Sequence, residues 1–168
     1  MAIQRLNVFI VDDNRMEANG LRKYLKNRFG NKVRLSIYFD SESCLRMMHG
    51  QVNLVVLDYN LNEKGLDSKT GLDVLKTIKL RHPETEVVIL TSNEDIGLAI
   101  DAITIGAKDF VVKGVGSWQR ILAIVDQTVT QPIRFLVTEY GVTKFVGIFL
   151  FTFLTMGMVV VLALKLIF

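Results

Sequence analysis

The stretch Asn53-Leu54-Val55-Val56-Leu57-Asp58 runs apolar to Leu57 and stops at a carboxylate. An apolar run without polar alternation fits a strand buried on both faces, the habit of parallel sheets. Working outward, the same form recurs. Leu6 to Val11 is apolar and ends in Asp12-Asp13. Val33 to Phe39 reads as another strand, Glu86 to Leu90 runs into Thr91-Ser92, and Asp109 to Val112 runs into Lys113-Gly114.

Between these runs lie stretches with helical spacing. In Glu17 to Phe29, Leu21, Tyr24, Leu25 and Phe29 share one face, and Arg22, Lys23 and Lys26 point elsewhere. Ser41 to Met48 reads as a short helix with Ser41 as its cap. Leu72 to Leu80 ends at His82-Pro83, and Asp95 to Ile105 closes at Gly106. Ser117 is expected to cap a last helix reaching about Thr130. Strict β-α alternation predicts an α/β fold, a doubly wound five-stranded parallel sheet with helices on both faces.

In such sheets functional groups gather at the carboxyl ends of the strands. Here those ends carry Asp12 and Asp13, Asp58, Thr91, and Lys113. Taken singly, Asp and Thr after a strand also serve as turn residues and helix caps. Together they make three carboxylates, a hydroxyl and an amine at one sheet edge. Three carboxylates in one pocket repel, and hard oxygen ligands in a small cluster select magnesium rather than zinc. A carboxylate in that setting can act as a nucleophile on a phosphoryl group, with the lysine and hydroxyl neutralising its charge.

In identity, order and strand placement, Asp12-Asp13, Asp58, Thr91 and Lys113 resemble the two-component response-regulator receiver domain, which has a flavodoxin-like (CheY-like) fold. The likeness covers about residues 5 to 130 and includes Gly106-Ala107-Lys108-Asp109-Phe110-Val111-Val112-Lys113. It implies a bacterial signalling protein in which Asp58 accepts phosphate from a histidine kinase or phosphotransfer protein. It implies that Asp12, Asp13, Asp58 and the Asn60 carbonyl bind Mg2+, and that Lys113 and Thr91 contact the phosphoryl group. Phe110 takes the place of the switch aromatic that moves with Thr91. The face of the fourth helix, fifth strand and fifth helix carries the signal. No enzymatic activity is implied beyond Mg2+-dependent phosphorylation and dephosphorylation of the chain itself. The sequence departs from the family pattern in three places. Gly114 stands where proline usually follows the lysine, the loop after Asp58 is longer, and Phe110 lacks the hydroxyl of the usual tyrosine. In that loop Glu63, Lys64, Asp67 and Lys69 would be solvated, or would shield the site.

Half of the 168 residues are hydrophobic, and the mean hydropathy is +0.34. The excess sits at the end of the chain. From Phe145 to Leu164 there is no charge, and the only polar side chains are Thr152 and Thr155. At about 1.5 Å per residue that run spans roughly 30 Å, a bilayer core. The expected organisation is a receiver over 1–130, a linker over 131–141 and a single transmembrane helix over 142–168. Among the 20 basic residues only Lys144 and Lys165 lie beyond position 140, so the basic balance is no nucleic-acid signal. Met1 to Asn7 has no apolar signal-peptide core. The receiver is therefore expected on the cytoplasmic side of the inner membrane, with output through an integral-membrane protein partner. A second reading makes the chain a structural subunit of a motor or secretion assembly, with the receiver as a docking module. An aspartyl-nucleophile hydrolase ranks below both, because Asn60 stands where such enzymes carry a second acid.

Overall fold

The computed structural model describes residues 5–61, 70–136 and 151–155. Five strands, β1 (Leu6–Val11), β2 (Val33–Tyr38), β3 (Leu54–Asp58), β4 (Glu86–Thr91) and β5 (Asp109–Val112), form one parallel sheet in the order β2-β1-β3-β4-β5. The helices are α1 (Arg15–Phe29), α2 (Ser41–Met47), α3 (Gly71–Arg81), α4 (Ile96–Ile105) and α5 (Ser117–Leu136). This is the doubly wound α/β architecture read from the sequence.

Alternation along each strand divides the core in two. Val8, Ile10, Leu54, Val56, Val88 and Leu90 meet α1 and α5 through Leu21, Leu25, Ile121 and Val125. Phe9, Val11, Val55, Leu57, Val87 and Ile89 pack in a second cluster with Cys44 of α2, Val74, Leu75 and Ile78 of α3, and Ala102 of α4. All five residues of β3 are buried, which is why that run carries no polar alternation. Each buried aliphatic side chain stabilises the fold by about 1.5–3 kcal/mol before entropy is counted.

The helix starts differ in detail from expectation. Asp40 caps α2, accepting the Ser43 N–H at 2.7 Å, and Ser41 lies inside the helix. Asp40 is extended and one residue earlier, so its carboxylate reaches the free N–H groups of the first turn. Ser117 likewise is the first residue of α5, and its hydroxyl donates to the Gly114 carbonyl at 2.8 Å, closing the β5–α5 loop. Thr70 and Asp73 form a reciprocal capping box at α3.

The chain divides into two compact units, ending at Val129 and beginning at Thr130. α5 continues to Leu136, over the first residues read as linker. Among the described residues no helix is long and apolar enough to cross a membrane. The apolar run 145–164 falls outside them except for residues 151–155, which are helical. Residues 62–69, including Glu63, Lys64, Asp67 and Lys69, also fall outside.

Candidate functional site

The strand order reverses between β1 and β3, and that switch point is where such sheets place their sites. Val11 pairs with Leu57 in the sheet register, so Asp12 and Asp58 emerge side by side. Asp58 pairs in turn with Leu90, which puts Thr91 one step beyond it on the neighbouring strand. Thr91 pairs with Val112, so Lys113 leaves the sheet next to Thr91, and its backbone N–H donates to the Thr91 carbonyl at 2.6 Å.

Ligand oxygens of Asp12, Asp13 and Asp58 lie within 4.8 Å of one another. Asp12 is 3% exposed and Asp58 4%, whereas Asp13 is open to solvent. The Lys113 ammonium stands among the acids, 3.2 Å from Asp12 Oδ2, 3.3 Å from Asp58 Oδ1 and 2.8 Å from Glu17 Oε2. Its approach to Asp58 is an ion pair, and Asp58 Oδ1 is buried with no hydrogen-bond partner. Asp12 Oδ1 accepts the Asn14 N–H at 2.8 Å.

The titration behaviour follows from this crowding. Burial pushes the Asp58 carboxyl up to about 6; Lys113 opposes the rise, and the neighbouring Asp12 charge adds to it. Asp12 is also raised, by burial first, with Lys113 pulling the other way. Burial opposes the charge on Lys113, but Glu17, Asp58 and Asp12 outweigh it and raise its pKa, so the ammonium form persists.

Three acids paired with one lysine, and Asp13 grouped with two of them, leave a surplus of negative charge that a hard divalent cation would relieve. Asp58 Oδ1, buried without a hydrogen-bond partner, is an atom available to a ligand. The 4.8 Å span exceeds two magnesium–oxygen bonds, about 4 Å, by an amount that side-chain rotation supplies. The residues therefore fit Mg2+.

Of the residues read from sequence, the structure brings Asp12, Asp13, Asp58 and Lys113 together. Thr91 is fully buried beside them and its Oγ1 accepts the Asn93 N–H at 3.1 Å. Asn60 follows Asp58 in the turn, and its backbone amide there works against the rise of the Asp58 pKa. Phe110 is half-buried on β5, against the α3 side of the core. Two contributors escaped the sequence. Glu17 looks like an ordinary first-turn acid of α1, and only the fold shows that it reaches Lys113. Gly71 closes the loop after Asp58: its N–H donates to the Tyr59 carbonyl at 2.9 Å, and a Cβ there would lie 2.6 Å from Tyr59 Cα and 3.1 Å from the Asp58 carbonyl oxygen. Cys44 is no rival nucleophile, because burial pushes its thiol up to about 12.

Residues 8–126 match the family described as the response regulator receiver domain. A Rickettsia conorii protein named as an NtrX-like response regulator is 34% identical over 113 residues, which is 66% of this chain and 22% of that protein. The Vibrio vulnificus regulatory protein LuxO is 31% identical over 67 residues, 40% of this chain and 14% of LuxO. The chain thus spans about a fifth or less of these curated relatives. Among solved structures, the signal receiver domain of a protein described as a LuxO repressor from Vibrio parahaemolyticus superposes with a TM-score of 0.67 at 23% identity, covering 81% of this chain and 98% of that one. A CheY-like receiver from Methanospirillum hungatei gives 0.66 at 16% identity, covering 78% and 98%. Receiver domains are phosphorylated on an aspartate, bind Mg2+ in an acidic pocket and interact with histidine kinases or phosphotransfer proteins. Because the match begins in β1 and runs over every strand into α5, the chain belongs to the response regulator receiver family.

Proposed function

We propose that this chain is a phosphorylation switch whose acceptor is Asp58 and whose output is a protein contact made beside a membrane. The carrying observation is the Asp58 carboxylate, buried between Asp12 and Lys113 with Oδ1 lacking a hydrogen-bond partner. In the proposed step, Asp58 Oδ1 attacks the phosphorus of a phosphohistidine on a kinase or phosphotransfer protein. The new P–O bond forms as the P–N bond breaks, and the imidazole leaves with the bonding electrons. Asp12, Asp13, Asp58 and the Asn60 carbonyl would hold Mg2+, which supplies charge neutralisation for the transferring group when bound. Lys113 adds a second positive charge, and Thr91 turns its hydroxyl onto a phosphoryl oxygen. Phe110 follows Thr91 inward.

The output surface is supported by α4. Ile96, Ile100 and Ile103 are 76%, 60% and 49% exposed and share one stripe of that helix, which packs beside β5. Membrane tethering rests on the sequence of the run 145–164 and its flanking lysines. The receiver would then lie on the cytoplasmic side of the inner membrane, its readout an integral-membrane protein. The three-acid site favours a switch over a purely structural docking module, which has no need of it. Acetyl phosphate with Mg2+ should retard the full chain on a phosphate-affinity gel and leave Asp58→Asn unmoved. An unshifted wild-type chain would leave only the docking-module reading. Fractionation with and without residues 142–168 tests the tether: the full chain should sediment with membranes and the shortened one should not.

A further inference from the structure

Resting on the reading of Asp58 as the acceptor, we propose that Glu17 is a positioning residue of the site, holding the Lys113 ammonium at the rim and away from full pairing with Asp58. Glu17 is the nearest of the three carboxylates to Lys113, at 2.8 Å against 3.2 Å for Asp12 and 3.3 Å for Asp58. Asp12 and Asp58 belong to the acid group that fits a cation. Among the described residues, Glu17 is the partner of Lys113 that lies outside that group.

Glu17 is itself fixed from the α1 cap. Its backbone N–H donates to Asn14 Oδ1 at 3.3 Å, and its Oε1 accepts from Asn14 Nδ2 at 3.2 Å. Asn14 is tied in turn to Asp12 by the 2.8 Å bond from its backbone N–H. One Glu17 oxygen therefore faces the cap and the other faces Lys113. On the other side the chain gives Lys113 little guidance. Gly114 follows it with φ of +156°, and a Cβ there would meet nothing within 4 Å. The aim of a four-carbon flexible stem is thus set by its ion pairs.

When a cation takes the Asp12 and Asp58 oxygens, Glu17 keeps a partner for Lys113 that the cation does not claim. Without Glu17, the ammonium closes on Asp58 Oδ1 and competes with the cation for that atom. Glu17→Gln keeps the shape and removes the charge, and the exposed position of Glu17 lets the fold tolerate it.

The test uses the full chain in non-ionic detergent with 13Cε-labelled lysine, the Lys113 signal being assigned by its loss in Lys113→Met. Glu17→Gln should move that signal, and the movement should at least halve when Asp58→Asn is also present. By calorimetry at physiological salt, Glu17→Gln should raise the Mg2+ half-saturation about threefold, the scale of one partly exposed ion pair. In the Lys113→Met background the same substitution should change it by less than about twofold. An unmoved Lys113 signal overturns the proposal. So does a movement that ignores Asp58, or an equal Mg2+ effect in both backgrounds, which would make Glu17 a plain distant charge. No phosphodonor enters either readout, so failure here is distinguishable from failure of Asp58 as acceptor.

Discussion

Replacing Asp58 by Asn should stabilise the metal-free protein while abolishing the chemistry. Asp58 is 4% exposed, and its folded pKa rises from 3.8 to about 6. A carboxyl raised on folding favours its protonated form in the folded state. Its contribution is fully present below 3.8 and is lost as pH climbs through about 6. At pH 7.5 the folded protein must carry the buried charge. A difference of about two pKa units, at about 1.4 kcal/mol each, makes that cost roughly 3 kcal/mol. Asn keeps the size and removes the charge. Urea unfolding of the full chain in detergent and EDTA at pH 7.5 should show Asp58→Asn more stable by about 2–3 kcal/mol, a midpoint shift of about 1–2 M. At pH 5 the gap should fall to about half, and near pH 4 it should mostly close. Saturating Mg2+ should also close it, because at about 100 times Kd a ligand adds roughly 2.7 kcal/mol to the state that binds it. A variant less stable than wild type at pH 7.5 in EDTA would refute the reasoning, as would a gap indifferent to pH.

Other consequences are local. Gly71→Ala places a methyl against Tyr59 Cα. It should cost about 1–3 kcal/mol in urea unfolding and weaken Mg2+ binding measured by calorimetry, since the displaced backbone carries Asp58. Thr70→Ala removes the reciprocal cap of α3 and should cost about 1 kcal/mol with Mg2+ binding retained. Leu75→Ala opens a cavity at a fully buried position of the same helix and should cost about 2–5 kcal/mol by the same unfolding measurement.

The fold was legible because its physics is periodic. Buried parallel strands write continuous apolar runs, and Leu54 to Asp58 shows the pattern without interruption. The acids were legible because a strand's end is visible in sequence and parallel strands end on one edge. The register that sets Val11 against Leu57 turns that edge into a pocket. Side-chain reach was not legible. Nothing in the spacing tells Glu17 that Lys113, 96 positions on, will stand 2.8 Å away. The approach of Gly71 to the Tyr59 backbone also depends on tertiary closure of a loop. The cap of α2 fell one residue before Ser41, at Asp40, because Asp and Ser compete for neighbouring capping positions, and Ser117 became the first residue of α5. α5 continues past Pro132, where the sequence suggested the start of a linker.

The central claim is that Asp58 is the phosphoacceptor. Its most direct measurement is peptide-resolved mass spectrometry of the full chain after incubation with acetyl phosphate and Mg2+. The account predicts a single phosphoryl group on Asp58, absent when EDTA replaces Mg2+ and absent in Asp58→Asn. A phosphoryl group on another residue, or none on the wild-type chain, would contradict it.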